Sequence, residues 1–182
     1  MNKKRICALT CVITMVGLIV TTMVIVSLNF RDDIRDLDTR NPDGITGTVF
    51  VAFRAGVTSF NEDIVNEFVR GLIEQDWSID ITTTSTETPT NVTGYGFVVL
   101  ACPVNGGMPH QFMLDYLARA NFEGKPIVLI LTSGGENSTA AMEIYRQTTV
   151  GANGVVHTEL PYWLLDGTAF ASAYADGSEF SL

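Results

Sequence analysis

The chain has 182 residues, 46% of them hydrophobic, with 11 Lys and Arg against 20 Asp and Glu and a formal net charge of −9. Lys3, Lys4 and Arg5 stand at the start, so only eight basic residues accompany the twenty acidic ones beyond residue 30. A field of that sign repels phosphate backbones and excludes nucleic acid as a partner. Cys7, Cys11 and Cys102 leave no pair within residues 47–182 and no zinc-ligand spacing.

No charge lies between Arg5 and Arg31, and the run from Ile6 to Leu28 is apolar apart from Thr, Ser, Gly and Cys. At about 1.5 Å per residue it reaches roughly 34 Å, enough for a bilayer core. No small-x-small cleavage site follows. The run therefore predicts a retained single-pass membrane anchor over 1–30, with lipid contact through 6–30. The basic start tips the orientation toward a domain outside the cytoplasm. Residues 31–46 are polar and end in Asn41, Pro42, Asp43 and Gly44, which reads as a juxtamembrane linker. Residues 47–182 form the domain.

Within it, Thr48–Phe53 is a continuous apolar run, as expected of a strand buried on both faces. Ser59 and Glu62 have the spacing of a capping box, and Ile64, Val65, Phe68, Val69, Leu72 and Ile73 mark one apolar helical face. Trp77–Ile81 is a second strand. Seven threonines among residues 82–93 predict a long loop. Phe97–Ala101 is the third strand, and Pro109 suits the first turn of the next helix. Pro126–Leu131 is the fourth strand, Ser138–Val150 a helix, and Val155–Leu160 the fifth strand. Thr168–Ala175 allows about two helical turns, a short close that would leave part of one sheet face bare and call for a protein partner or a second copy.

Alternating strands and helices with apolar strands predict a doubly wound parallel five-stranded sheet, order 2-1-3-4-5. Ligands of such sheets bind beyond the carboxyl ends of the strands. Three glycine-containing loops occupy that edge: 54–58, 102–110 and 132–137.

At these loops the chain resembles the flavodoxin-like family of FMN proteins. Residues Ala55–Ser59 resemble the second half of its Ser/Thr-x-Thr-Gly-x-Thr phosphate loop. Val99–Pro109 resembles its strand followed by Ser-Pro-Val-Tyr-Gly-Gly-x-Pro, and Phe122–Pro126 and Leu131–Gly135 resemble a helix-to-strand turn and the second flavin loop. The resemblance implies a flavodoxin-like α/β fold with a truncated last helix, preceded by the anchor. It implies FMN held by Arg54, Ala55, Gly56, Val57, Thr58 and Ser59 at the phosphate, by Pro103, Val104, Asn105, Gly106 and Gly107 beside the ring, and by Thr132, Ser133, Gly134, Gly135 and Glu136 on its other side. The family's stacking aromatic is Asn105 here, and no aromatic stands in 132–137.

No catalytic or metal-binding residue is expected. Cys102 lacks the Arg of a Cys-x5-Arg phosphatase loop, residue 131 is Leu rather than the Gly of a nucleophile elbow, and His110 and His157 belong to no cluster. Two functions follow: an FMN electron carrier tethered to a membrane and serving a protein redox partner, or a flavin-free flavodoxin-fold subunit or assembly module of a membrane complex.

Overall fold

The computed structural model describes residues 3–29, 31–135 and 138–182, with side chains for 10–24, 27, 31–135 and 138–182. It divides into two units, Met1–Arg31 and Asp32–Leu182.

The first unit is one helix, α1 (Lys3–Asn29). Its hydroxyls at Thr14, Thr21, Thr22 and Ser27 donate to the carbonyls four residues back. Among the described residues no helix is long and apolar enough to cross a membrane. The expectation of a single-pass anchor is thereby overturned, and with it the lipid contact through 6–30 and the single-pass topology that put the domain outside the cytoplasm.

The second unit is built on a seven-stranded sheet: β1 (Asp38–Arg40), β2 (Gly47–Phe53), β3 (Trp77–Thr83), β4 (Phe97–Asn105), β5 (Met108–Pro109), β6 (Pro126–Ser133) and β7 (Val155–Trp163). The order is β1-β3-β2-β4-β6-β7, with β5 paired to β4. Five strands are parallel, with Val49 opposite Ile79, Val51 opposite Val99, Leu100 opposite Leu129 and Ile130 opposite Leu160. The other two pairings are antiparallel, so the expected all-parallel five-stranded sheet is corrected to a mixed one. Strand β1 escapes a periodicity reading because Asp-Thr-Arg has none; it joins through its backbone and through Thr39 Oγ1 donating to Asp80 Oδ1 at 2.6 Å.

Successive strand residues point to opposite faces, which gives two cores. Val49, Val51 and Phe53 face α2 (Phe60–Glu74) and α5 (Ala169–Ser178). Phe50, Ala52 and Leu100 face α3 (Gln111–Arg119) and α4 (Thr139–Gly151).

Helix α5 corrects the truncated-helix expectation. It runs past Ala175 to Ser178 and lies directly on α2: a Cβ on Gly177 would meet Phe68 O at 2.1 Å, and one on Gly71 would meet Tyr174 O at 2.4 Å. A glycine inside a helix costs intrinsic stability, yet Gly177 is what lets two helix backbones touch. The tail finishes the cover, because Phe180 packs at a tilt on Phe97, ring centres 4.6 Å apart, and meets Phe68 and His157 edge-on. The face expected to be bare is closed by the chain itself.

The threonine-rich loop after β3 is pinned. Thr88 Oγ1 donates to Thr83 O at 2.8 Å, Arg119 donates to Thr88 O and Ser85 O, and Tyr116 donates to Pro89 O.

Candidate loop-edge site

The carboxyl ends of β2, β4 and β6 bring the three expected loops to one edge of the sheet. In the first loop, Arg54 is 2% exposed, Ala55 and Gly56 are half-buried, and Val57, Thr58 and Ser59 are exposed. The Arg54 guanidinium lies over the Phe112 ring at 4.3 Å. Burial lowers its pKa from the ordinary guanidinium value, opposed by the nearby charges of Asp33 and Asp32. The expected Ser59–Glu62 capping box is absent: Ser59 already has helical geometry and its hydroxyl makes no cap bond. Glu62 instead accepts from the two terminal guanidinium nitrogens of Arg35, at 2.8 and 3.2 Å.

That arginine belongs to a segment placed in the linker by its composition. Residues 32–36 lie across the ends of β2 and β3 as a strap. Thr83 Oγ1 donates to Asp33 O, Thr82 Oγ1 to Arg35 O at 2.8 Å, and the Thr86 amide and hydroxyl to Asp32 Oδ2. Arg35 also lies over the Phe53 ring at 5.6 Å. Two carboxylates of the chain, Asp32 and Asp33, are thereby held close to the β2–α2 loop.

In the second loop Pro103 and Val104 are half-buried, and Asn105, Gly106 and Gly107 are exposed. Val104 pairs with Pro109 and Asn105 with Met108, and Gly106 and Gly107 take φ of +59° and +81°. This is a two-residue hairpin turn with both central residues left-handed, which glycine adopts without strain. Pro109, expected in the first helical turn, is therefore in β5. His110 caps α3 through Nδ1, which accepts from Phe112 N at 3.3 Å. Gly107→Ala should cost about 1 kcal/mol through the strained turn and leave the rest of the sheet unchanged, measurable as a small shift of the urea midpoint.

In the third loop Thr132 is buried, Ser133 half-buried, and Gly134 and Gly135 exposed; the Ser133 hydroxyl donates to Gly135 O. Glu136 lies outside the described residues. Added Cβ atoms on Gly106, Gly107, Gly134 and Gly135 would meet nothing within 4 Å.

Between the loops stands a residue that pattern reasoning missed. Asn61, 1% exposed, donates from Nδ2 to Arg54 O at 2.7 Å and accepts at Oδ1 from Thr132 Oγ1 at 2.9 Å. It ties the first loop to the third. Its signal was an amide placed three residues before Ile64, on the apolar face of α2. Cys102 is fully buried; burial pushes its thiol up to about 12, against the hydrogen bonds from the His110 backbone and Tyr145. It is a protonated packing residue at neutral pH. Among the described residues no three His, Cys, Asp or Glu side chains converge as metal ligands.

No family model matches the chain, and no curated protein matches it in sequence. Solved structures do match. A flavodoxin from Streptococcus pneumonia TIGR4 superposes with a TM-score of 0.59 at 15% identity, covering 72% of this chain and 96% of that one. Oxidised Flavodoxin 1 from Bacillus cereus superposes at 0.60 with 13% identity, covering 74% and 99%. An NAD(P)H:quinone oxidoreductase from Methanothermobacter marburgensis gives 0.55 at 13%, covering 74% and 99%. At such identities the likeness defines the fold: residues 32–182 have a flavodoxin-like α/β architecture.

Proposed function

We propose that this chain is a flavodoxin-fold module that works by binding a protein partner and holds no flavin. One observation carries the reading: the chain's own carboxylates stand beside the loop edge where a flavin phosphate would go, and the neighbouring hydroxyls are already bonded. A dianionic phosphate at a helix N-terminus needs free N–H and hydroxyl donors and positive potential. Here Asp32, Asp33 and Glu62 bring carboxylates to that end, the hydroxyls of Thr82, Thr83 and Thr86 are turned to the strap, and Arg54 is buried against Phe112. The residues present do not fit the group. Gly106 and Gly107 are accounted for by the hairpin turn without any ligand.

FMN-dependent electron transfer is the competing reading, favoured by the shared fold of flavodoxins. The two separate cleanly. FMN added to the full-length chain is expected to keep its fluorescence to high micromolar concentration, and the purified protein is expected to lack absorbance near about 450 nm. Saturable quenching, weakened by a bulky residue at Gly56, would overturn the flavin-free reading.

A further inference from the structure

The loop after β7 carries two leucines in water. Leu164 is 52% exposed and Leu165 85%, with Phe170 at 46% in the first turn of α5 and Val57 at 59% in the β2–α2 loop. Phe170 meets Phe60, the first residue of α2, edge-on at 5.7 Å, which joins the starts of the two helices into one apolar rim. The loop is held in place. Leu164 N donates to Ser133 O at 2.9 Å and Asp166 N to Trp163 O at 3.0 Å, while the Asp166 carboxylate accepts from the Thr168 amide and hydroxyl. A fixed loop that keeps large apolar side chains in solvent marks an interaction surface.

The charge around the rim selects the partner. From Val155 to Leu182 there is no Lys or Arg, and none from Ala55 to Val69, whereas Asp63, Asp166 and Asp176 lie in these stretches beside the arginine-paired Glu62 and Glu67. Of the arginines beside these stretches, Arg54 is buried over the Phe112 ring, Arg35 pairs with Glu62 and Asp33, and Arg70 pairs with Glu67. A second copy would bring the same carboxylates against these, and anionic lipid would be repelled likewise.

We infer that the Leu164–Phe170 rim is the docking surface for a basic protein partner whose lysines or arginines surround an apolar centre. This rests on the module reading, and the flavin titration decides that reading separately, because Leu165 lies outside the loops a flavin would touch. The test uses the full-length chain with a helical peptide of leucine and lysine, and the same peptide with glutamate for lysine. The lysine peptide is expected to bind, to weaken as salt is raised, and to shift the amides of residues 163–170 and 56–60. Leu165→Asp, at a site too exposed to disturb the fold, should weaken it by about tenfold or more, and Leu164→Ser should do so as well. Absence of binding, equal binding of the glutamate peptide, indifference to both variants, or a concentration-dependent dimer abolished by Leu165→Asp would each overturn the proposal.

Discussion

Gly177→Ala is expected to destabilise the domain by about 3 kcal/mol, although alanine is the better helix former by roughly 1 kcal/mol. The added methyl would sit 2.1 Å from Phe68 O and 3.0 Å from Phe68 C, both backbone atoms that no rotamer can move aside. Helices α2 and α5 would have to separate, and the burial of Phe68, Ala173 and the neighbouring core would loosen with them. At roughly 2–4 °C per kcal/mol for a domain of this size, the melting temperature should fall by about 6–12 °C. Gly71→Ala should behave in the same way, since its Cβ would meet Tyr174 O at 2.4 Å and Ser178 N at 2.5 Å. Gly151→Ala, at the end of α4 with nothing within 4 Å, is the control and should be neutral or slightly stabilising. Equal melting temperatures for Gly177→Ala and the control would mean that the two helices do not touch in solution.

Asn61→Ala is expected to cost about 3 kcal/mol, far more than its volume warrants. It strips the Arg54 carbonyl of its donor and the Thr132 hydroxyl of its acceptor, and leaving a buried polar group unpaired costs about 1–3 kcal/mol each. Thr132→Val removes one donor only and should cost less. Because the two side chains share a hydrogen bond, the double variant should be more stable than the sum predicts, by about 1 kcal/mol in urea unfolding. Strict additivity would show that the bond linking the first and third loops contributes nothing.

The central strands and the helices that pack on them were legible because apolar periodicity reports burial directly. Val49, Phe50 and Val51 are each fully buried, as a continuous apolar run requires of a strand covered on both sides. The loops were legible in position and not in purpose. Asn105, Gly106 and Gly107 resemble a flavin-flanking turn, but the same three residues also spell a tight hairpin, and spacing alone does not distinguish them. The strap was illegible because it packs through backbone carbonyls at Asp33 and Arg35, while its apolar residue Ile34 and the neighbouring Leu37 stay 50% and 43% exposed. Its one trace in the sequence was on the other side of the contact, in the threonines at 82, 83 and 86 that needed acceptors. Asn61 is hidden by the opposite cause: a single polar residue on an apolar helical face carries no periodicity of its own, and its two partners are a backbone carbonyl, at Arg54, and a residue distant in sequence, Thr132.

Strand β1 also decides where the folded unit can be cut. It covers the outer edge of β3, where Thr39 faces Asp80 and Arg40 faces Ile79, and Arg40 reaches on to Asn66 at 2.9 Å. A chain begun at Gly47, the first residue of β2, would keep every apolar strand yet leave the N–H and C=O groups along Ile79–Ile81 open to any passing strand. It would lose Asp38 and Arg40, the charges that discourage such pairing. Trimming the polar segment would therefore change colloidal behaviour before it changed the fold, and precipitation of the shortened chain would report an unguarded sheet edge rather than a failed core.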